Sequence, residues 1–390
     1  MAEAYIVDAV RTATGRRKGA LAGWHPADLG AVSVDALLDR TGIDPAAVDD
    51  VIFGCVTQGG EQSFAAGRNV VLASKLPQTV PAVTLDRQCG SAQQAVHFAA
   101  QAVMSGTQDM VIAGGVESMT RVPMLTNMML YLQAGIGGLP WSERILKKYG
   151  VAEFSQFTGA EMIAEKYGLS REEMDAYALE SHRRAVAATQ AGAFDAEIVP
   201  LPVDSENGPV IHSKDEGIRY DATLESMATV KPINEGGRLT AATASQIADG
   251  SAALLVANER AVKAHGLTPM ARIHNLTVTG GDPVIMLEEP IRATRIALER
   301  AGMSVDEIDL FEVNEAFACV PMAWLKEIGA DPARLNVNGG AIATGHPLGA
   351  TGAKLMATLV HSLRAQGKRY GLQTMCEGGG MANVTIIEVL

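Results

Sequence analysis

Cysteine and charge are both scarce in this chain of 390 residues. The four cysteines, at positions 55, 89, 319 and 376, form no CxxC pair and have no histidine at zinc-finger spacing. Neither a disulfide framework nor a structural metal is therefore indicated. Acidic residues outnumber basic ones and give a net charge of −12. That balance argues against non-specific binding to nucleic acid or to an anionic membrane surface, while leaving room for a local basic patch.

Long apolar runs and targeting signals are also missing. No apolar stretch reaches the length that spans a membrane. The chain begins directly with a strand-like segment, residues 4–7, and its last segment, residues 383–390, lacks a peroxisomal tripeptide. We therefore expect a cytoplasmic protein with reduced thiols and no membrane partner.

Hydrophobic residues, in contrast, make up 47% of the chain and charged residues only 19%, so two or three domains with sizeable cores are expected. Apolar strand-like segments alternate with amphipathic helical ones, such as residues 31–38 and 350–363. This alternation favours an α/β fold with mostly parallel sheets that are covered by helices on both faces.

The chain repeats part of its own pattern. Residues 42–54 and residues 302–314 both have the pattern of a helix end, a turn and a strand. Cys89, its helix and the strand at 110–115 likewise correspond to the loop of Gly345 and His346, its helix and the strand at 372–376. Two halves of similar α/β topology are predicted.

A different kind of segment separates the halves. Residues 119–248 are richer in methionine, charge and irregular stretches, which is typical of an inserted loop or lid domain. They contain one clear helix, predicted over 171–191, with a cap at Ser170 and Glu173 three residues later. The predicted organisation is an N-terminal core half at 1–118, completed by 249–268, the loop domain at 119–248, and a C-terminal core half at 269–390.

Cys89 is the first candidate for chemistry, because it stands between strand-like residues 81–85 and helix-like residues 90–100. Unpaired N–H groups and the helix dipole at a helix N-terminus favour the thiolate. We expect the pKa of Cys89 to lie below that of a free thiol and the residue to act in covalent catalysis. A cysteine taken alone is more often a small buried side chain, and we assign Cys55 and Cys319 to the core on that ground.

A polar, glycine-rich segment near the C-terminus supports the catalytic interpretation. Residues 336–349 place His346 among tight turns, and Cys376 stands just before a run of three glycines. The segment lacks the GxxxxGK[ST] pattern of a phosphate loop. His97 lies two helical turns beyond Cys89 and is assigned a structural role. The other histidines have no partners at ligand spacing, so no metal is predicted.

Four sequence blocks resemble the thiolases, the coenzyme A dependent acetyl-CoA acetyltransferases and 3-ketoacyl-CoA thiolases. In chain order they are DRQCGS at 86–91, NEAF at 314–317, GHPLGATG at 345–352 and CEGGG at 376–380. The resemblance runs nearly end to end. It implies a five-layered α-β-α-β-α fold of two pseudo-symmetric halves, with a loop domain inserted in the first half.

The same resemblance implies acyl transfer through a cysteine acyl-enzyme, as thiolytic cleavage of 3-ketoacyl-CoA or as the reverse Claisen condensation of acetyl-CoA. Cys89 would be the nucleophile, His346 the base that takes its proton or stabilises the thiolate, and Cys376 the second acid and base. The backbone N–H groups of Cys89 and Gly378 would form one oxyanion hole. His346 and a water held by Asn314 would form the other.

Coenzyme A and acyl-CoA enter this scheme as substrates, and no permanently bound cofactor is implied. Coenzyme A should lie along the loop domain. There Ser245 aligns with the serine that touches the pantetheine arm in the family, and Arg219 is a candidate near the nucleotide end. A homodimer or homotetramer is the assembly that the resemblance implies.

Two segments depart from the common thiolase pattern. Residues 286–290, MLEEP, replace a Met-Gly-x-Gly-Pro segment, and Gln156 and Phe157 stand where Met-Gly is usual. The loss of glycine changes how closely backbone and substrate approach each other. We therefore expect a substrate other than acetoacetyl-CoA, with a longer, branched or ring-bearing acyl group.

Two other functions are alternatives. A decarboxylating ketoacyl synthase would pair its cysteine with two histidines, and Cys376 stands where one of them is needed. A non-catalytic, thiolase-like acyl or lipid carrier would have lost some of the three groups Cys89, His346 and Cys376, and all three are present.

Overall fold

The computed structural model describes residues 3–205 and 208–390. The strands of the described residues are β1 (Ala4–Thr12), β2 (Gly15–Arg16), β3 (Asp50–Gly54), β4 (Ala82–Leu85), β5 (Met110–Ser118), β6 (Ile198–Val199), β7 (Leu201–Val203), β8 (Val210–His212), β9 (Ala248–Asn258), β10 (Ala271–Gly280), β11 (Leu310–Val313), β12 (Tyr370–Glu377) and β13 (Met381–Val389). Their α-helices are α1 (Pro26–Thr41), α2 (Ala66–Ala73), α3 (Ser91–Ser105), α4 (Thr126–Gln133), α5 (Glu143–Tyr149), α6 (Gln156–Lys166), α7 (Arg171–Gln190), α8 (Leu224–Ala228), α9 (Glu259–Ala264), α10 (Glu289–Ala301), α11 (Cys319–Ile328), α12 (Ala341–Thr344) and α13 (Thr351–Ala365).

One large mixed sheet organises the core. Its strands follow the order β11-β12-β13-β10-β1-β9-β5-β3-β4, with β2 paired to β9 and β6 paired to β1. The expectation of mostly parallel sheets is wrong, because the long central strands β9 and β13 pair antiparallel with both of their neighbours. These strands are apolar because helices cover both faces of the sheet. Parallel and mixed sheets share this covering, so an apolar strand does not reveal the direction of its neighbours.

The sheet consists of two halves with the same pattern of pairing. In the N-terminal half, β3 is parallel to β5, and β9 pairs antiparallel with β5 on one side and with β1 on the other. In the C-terminal half, β11 is parallel to β12, and β12, β13 and β10 follow antiparallel. A parallel bridge between Phe311 and Leu335 takes the place that β4 has beside β3. The predicted internal repeat is confirmed.

Helices α3 and α13 form the layer between the two halves. Both bury small residues against each other and against the sheet: Ala92, Ala95, Ala99 and Ala100 on α3, and Ala353 and Ala357 on α13. Alanine allows the helix backbones to approach the strands closely. Helix α1 covers the outer face of the N-terminal half, and α10 and α11 cover that of the C-terminal half. The α-β-α-β-α layering expected from the resemblance is present.

Local signals set the ends of several helices. The predicted helix at 171–191 is α7, and Ser170 and Glu173 form the expected capping box at its start. Helix α1 ends at Gly42, whose φ of 65° is readily adopted by glycine. The second half repeats this ending at Gly302, also with a φ of 65°.

Residues 119–248 contain helices α4 to α8, and strands β7 and β8 form a separate two-stranded sheet there. Strand β6 from the same segment joins the main sheet beside β1. The division of the chain at 118, 248 and 268 stays a prediction. In the described residues no helix has both the length and the apolar character needed to cross a membrane.

Candidate active site

The turn after β4 presents Cys89 at the start of α3. Gln88, immediately before it, has a left-handed backbone with a φ of 49°. The hydroxyl of Ser91 donates to the carbonyl of Gln88 at 2.6 Å and accepts from the N–H of Arg87 at 2.9 Å. The side chain that opens the helix therefore ties down the turn that carries the thiol. This placement confirms the predicted junction of strand, turn and helix.

Three separate parts of the chain contribute apolar side chains beside Cys89. Its half-buried side chain packs in an apolar cluster with Val56, Met119, Leu348 and Met124. Leu348 lies two residues beyond His346, so the loop of the second half reaches the thiol of the first. The fold thereby brings together two segments that are more than two hundred residues apart in sequence.

Hydrogen bonds hold the backbone of His346 and one of its two ring nitrogens. Its backbone N–H donates to the carbonyl of Gln246 at 2.9 Å, and its Nδ1 lies 2.6 Å from the hydroxyl of Thr351. That hydroxyl donates to the carbonyl of Pro347 at 2.8 Å, which leaves its oxygen to accept from Nδ1–H. Nε2 is buried and has no partner among the described residues. Burial, helped by the charge of Lys354, lowers the pKa of His346 to about 3.

Cys376 stands at the end of β12 and is fully buried. Burial raises the pKa of its thiol well above the ordinary value, and the next largest cause is Cys89. The two sulfurs are thus close enough for a charge on one to affect the other. Gly378 lies against the turn that carries Cys89, because a Cβ atom on it would stand 2.9 Å from Oε1 of Gln88.

Asn314 follows β11 and is held by its backbone N–H, which donates to the carbonyl of Thr374 at 3.1 Å. Its side chain is buried, yet neither Oδ1 nor Nδ2 has a partner in the part of the chain that the structure describes. A buried amide with both atoms unpaired is unusual and marks a place for a ligand or a water.

The expected low pKa of Cys89 is wrong. Burial raises the pKa of the thiol to about 12, and the carboxyl of Glu377 is the next largest contributor. The N-terminus of α3 does not compensate for these two effects. Burial therefore favours the neutral thiol of Cys89, as it favours the neutral imidazole of His346.

Sequence reasoning missed Glu117, which ties the site together. This buried carboxylate at the end of β5 accepts from the N–H groups of Val56, Thr57 and Gly349 at 2.8 to 2.9 Å, and from the side chain of Gln62 at 2.9 Å. It therefore joins the loop after β3 to the loop that carries His346. A lone acid at the end of an apolar strand is the only signal that the sequence offers for this role.

Thr351 and Lys354 on α13 were also missed. Lys354 is buried and donates to the carbonyl and hydroxyl of Thr344 and to the carbonyl of Gly345, at 3.2, 2.7 and 3.0 Å. Burial lowers the pKa of Lys354 to about 8. One turn of helix thus holds both the ring of His346 and the backbone before it.

Ser245 and Arg219 lie in different surroundings. The N–H of Ser245 donates to the carbonyl of Ala316 at 2.9 Å, next to the loop of Asn314. Arg219, together with His182 and Gln246, lines a cavity of about 190 Å³. Gln246 therefore links this cavity to the backbone of His346, because its carbonyl accepts from the N–H of His346.

The residues assigned to the core occupy the positions expected of them. Cys55 and Cys319 are fully buried, and burial raises the pKa of both thiols. His97 is buried on α3, where its Nε2 lies 2.8 Å from the hydroxyl of Thr385. Among residues 3–205 and 208–390, no group of three or more His, Cys, Asp or Glu side chains is placed to hold a metal ion.

Two family models match nearly the whole chain. Residues 4–260 match the thiolase N-terminal domain, and residues 267–389 match the thiolase C-terminal domain. The chain belongs to the thiolase family. The predicted family and fold class are confirmed, and so is the predicted reaction, which is thiolytic cleavage or the reverse condensation. Neither the ketoacyl synthase nor the non-catalytic carrier is favoured.

Individual relatives agree with this assignment. This thiolase is 59% identical to the steroid 3-ketoacyl-CoA thiolase FadA6 of Mycobacterium tuberculosis. The match covers all of this chain and 95% of that protein. It is 41% identical to the beta-ketoadipyl-CoA thiolase of Pseudomonas putida, with both chains fully covered. The acetyl-CoA acetyltransferase of Bacillus anthracis has a similar structure, with a TM-score of 0.91 and 36% identity over 100% of this chain and 99% of that one.

Proposed function

We propose that this thiolase cleaves a bulky 3-ketoacyl-CoA with Cys89 as the nucleophile, His346 as its base and Cys376 as the second acid and base. The observation that carries the proposal is the free Nε2 of His346, on a ring whose other nitrogen is held by Thr351. A neutral imidazole with one fixed N–H and one free lone pair is prepared to accept a proton.

In the first half-reaction, the thiol of Cys89 gives its proton to Nε2 of His346, and the thiolate attacks the 3-keto carbon. The bond between C2 and C3 then breaks, and its electron pair passes to the enolate of acetyl-CoA. The thiol of Cys376 protonates this enolate. Acetyl-CoA leaves, and Cys89 carries the shortened acyl group as a thioester.

In the second half-reaction, the thiolate of Cys376 takes the proton of the coenzyme A thiol. The sulfur of coenzyme A attacks the acyl carbon, and Cys89 departs as a thiolate that recovers its proton from His346. Every proton that moves is supplied by these three side chains and coenzyme A, and the electron pair of the enolate comes from the C2–C3 bond of the substrate. A resident cofactor has no step in this scheme.

Negative charge develops on oxygen in both half-reactions. The unpaired amide of Asn314 supports a role in one oxyanion hole, through a water, together with the proton on Nε2 of His346. The backbone N–H groups of Cys89 and Gly378 are proposed for the other, since Gly378 already lies against the turn before Cys89. Loss of one such donor costs about 10²- to 10³-fold in rate.

Coenzyme A is proposed to reach Cys89 from the cavity lined by Arg219 and Gln246. A guanidinium there suits an anionic nucleotide end, because arginine binds phosphate with several N–H donors. Ser245, between this cavity and the loop of Asn314, is proposed to contact the pantetheine arm. Substitution of Arg219 by Gln is expected to raise the KM for coenzyme A without changing kcat.

Two features support a bulky acyl group. Cys89 and Met124 both pack against the apolar cluster of Val56, Met119 and Leu348, and the adjoining α4 carries the exposed apolar side chains of Met129, Leu130 and Tyr131. These side chains support an apolar binding surface for the acyl group. The relative at 59% identity is named for steroid 3-ketoacyl-CoA substrates, which supports a ring-bearing acyl group here.

Two measurements test the proposed function. Mass spectrometry after exposure to a 3-ketoacyl-CoA should find the acyl group on Cys89, with no adduct in Cys89→Ala and an unchanged adduct in Cys55→Ala. Turnover should be compared for acetoacetyl-CoA, linear long-chain and ring-bearing 3-ketoacyl-CoA. Best turnover on acetoacetyl-CoA would refute the bulky substrate while leaving the role of Cys89 intact.

A homodimer or homotetramer is the proposed assembly. Strand β4 forms one edge of the large sheet and pairs on one side only, with β3. Val83 on this strand is exposed, and so are Leu72 on α2, which packs against β4, and Phe64 just before α2. An unprotected apolar edge of this kind is suited to pairing with a second copy of the chain.

The cytoplasm is the proposed compartment. All four cysteines are free thiols, and two of them must stay reduced for the proposed reaction. Cell fractionation with a tagged full-length chain tests this location.

A further inference from the structure

The residues that follow the two reactive cysteines touch each other. Gly90 follows Cys89 at the start of α3, and Glu377 follows Cys376 at the end of β12. A Cβ atom on Gly90 would stand 2.7 Å from Cδ of Glu377 and closer still to Oε1, so any larger residue at this position would require the carboxyl group to move. The carboxyl group of Glu377 therefore packs directly against the first backbone unit beyond the nucleophile.

This carboxyl group is not held in the way that structural carboxylates are. Glu377 is fully buried, yet neither of its oxygens has a hydrogen-bond partner in residues 3–205 and 208–390. Glu117, on the other side of Cys89, shows the contrast, because it is equally buried and accepts four hydrogen bonds. Burial without donors disfavours the charged form of a carboxyl group.

The charged groups around Glu377 are few. Arg87 is the cation that acts on it, and the Nε of Arg87 is itself buried without a partner. The acidic groups that act on Cys89 are Glu377 first, followed by Asp86 and Glu117. Glu377 is thus the acid with the largest electrostatic effect on the nucleophile.

We propose that Glu377 is a positioning residue whose charge state controls how readily Cys89 forms its thiolate. The proposal rests on the proposed role of Cys89 as the nucleophile. When Glu377 is neutral, the N-terminus of α3 stabilises the negative sulfur without opposition. When Glu377 is a carboxylate, its charge against Gly90 opposes both the thiolate and the oxyanion beside the N–H of Cys89.

Glu377 changes its charge at a pH at which enzymes commonly work. Burial raises the pKa of Glu377 to about 8, with Arg87 acting in the opposite direction. Below this pH the carboxyl group is neutral and the thiolate forms more readily. Above it, each further increase in pH brings less thiolate than an isolated thiol would give, because the two negative charges compete.

The rate of alkylation of Cys89 by iodoacetamide measures this effect without any substrate. The rate is followed from pH 6.5 to 9.5 in the full-length native protein, and mass spectrometry of the peptide assigns it to Cys89. We expect Glu377→Gln to react like the wild type at pH 6.5 and about tenfold faster at pH 9.5, which corresponds to one unit in the pKa of Cys89.

Glu312→Gln is the matched control. Glu312 is buried on β11, has one oxygen without a partner, and burial raises its pKa well above the ordinary value. Its charge is not among those that act on Cys89. The ratio of its alkylation rate to that of the wild type should therefore stay constant with pH.

A constant ratio for Glu377→Gln, or the same rising ratio for Glu312→Gln, would overturn the proposal. The wild type provides a test that needs no variant, since the logarithm of its rate should flatten near pH 8. A straight line of unit slope would contradict the role of Glu377. Absence of any alkylation of Cys89 would instead overturn its role as the nucleophile.

Discussion

The Nδ1 atom of His346 lies 2.6 Å from the hydroxyl oxygen of Thr351, five residues later in the chain. Because that hydroxyl donates to Pro347, it accepts from Nδ1–H and leaves the lone pair of the imidazole on Nε2. A single hydroxyl thus sets both the orientation and the tautomer of the proposed base, as a second group does in other catalytic histidine pairs.

Thr351→Val should lower kcat by about ten- to hundredfold, since the side chain keeps its shape and loses the acceptor that fixes the base. Steady-state kinetics with a 3-ketoacyl-CoA measures the effect. Thr358→Val is the control, because this residue lies two turns further along α13 and its hydroxyl donates to Glu197 instead. Equal losses in the two variants would mean that Thr351 acts only through stability.

Cys376→Ala should separate the two halves of the proposed reaction. Cys89 and His346 are intact in this variant, so the acyl-enzyme still forms from an acyl-CoA donor. Exchange of the α-protons of acetyl-CoA with deuterated solvent should fall by about 10²- to 10⁴-fold, because the group that moves that proton is gone.

Cys319→Ala is the control for Cys376→Ala, since it removes another fully buried thiol from the same core cluster. It should leave deuterium exchange unchanged. Wild-type exchange in Cys376→Ala would exclude Cys376 as the second acid and base.

The site shows which features a sequence reveals and which it does not. The position of Cys89 before α3 follows from short-range patterns, namely an apolar strand, a polar turn and an alanine-rich helix within twenty-five residues. The repeat of the two halves was visible for the same reason. Such elements are specified by neighbours along the chain, and periodicity reports them directly.

Long-range contacts account for what the sequence did not reveal. Glu117 accepts from Val56 and from Gly349, which lie 61 and 232 residues away along the chain, and no local pattern marks those partners. The pKa of Cys89 was misjudged because the helix end is local, whereas its burial depends on Leu348 and Met119 from other segments. Desolvation is a property of the assembled fold.

Asn314→Ala should reduce turnover strongly and stability little. Its amide atoms have no partners among the described residues, so truncation leaves no buried group newly unpaired. We expect kcat/KM to fall by about 10²- to 10³-fold, as for the loss of one oxyanion-hole donor, with the Tm nearly unchanged.

Asn336→Ala is the matched control, because this buried amide donates to the carbonyl of Val313 and to Glu315 and accepts from the N–H of Val313. It should lower the Tm by several degrees. A large loss of Tm in Asn314→Ala, with little loss of activity, would assign Asn314 to structure.

The stability of the protein should fall as the pH decreases from about 6.5 toward 3, in part because of His97. Burial lowers the pKa of His97 to about 3, from an ordinary value of 6.5. Between these two values the unfolded chain binds a proton that the folded chain does not, so unfolding is favoured progressively. Above pH 6.5 both states are neutral, and His97 makes no pH-dependent contribution.

His97→Gln should therefore reduce the slope of the unfolding free energy against pH in this window by the contribution of one bound proton. Urea unfolding between pH 4 and 7 measures this slope. His265→Gln is the control, since His265 is exposed after α9. An unchanged slope in His97→Gln would show that His97 binds its proton equally well in the folded and unfolded chains, so that burial does not lower its pKa.

The edge strand β4 gives the last prediction, which concerns assembly. Val83 stands in the middle of this short strand and is 47% exposed. A lysine there would place a charge on the surface that a second copy must cover, and charged edges resist strand pairing. Sedimentation velocity should find a dimer or tetramer for the wild type and a shift toward monomer for Val83→Lys.

Ile211→Lys, on β8 and 64% exposed, makes the same change away from the edge and should leave the assembly intact. A monomeric wild type, or an assembly that withstands Val83→Lys, would mean that β4 is not the contact between copies.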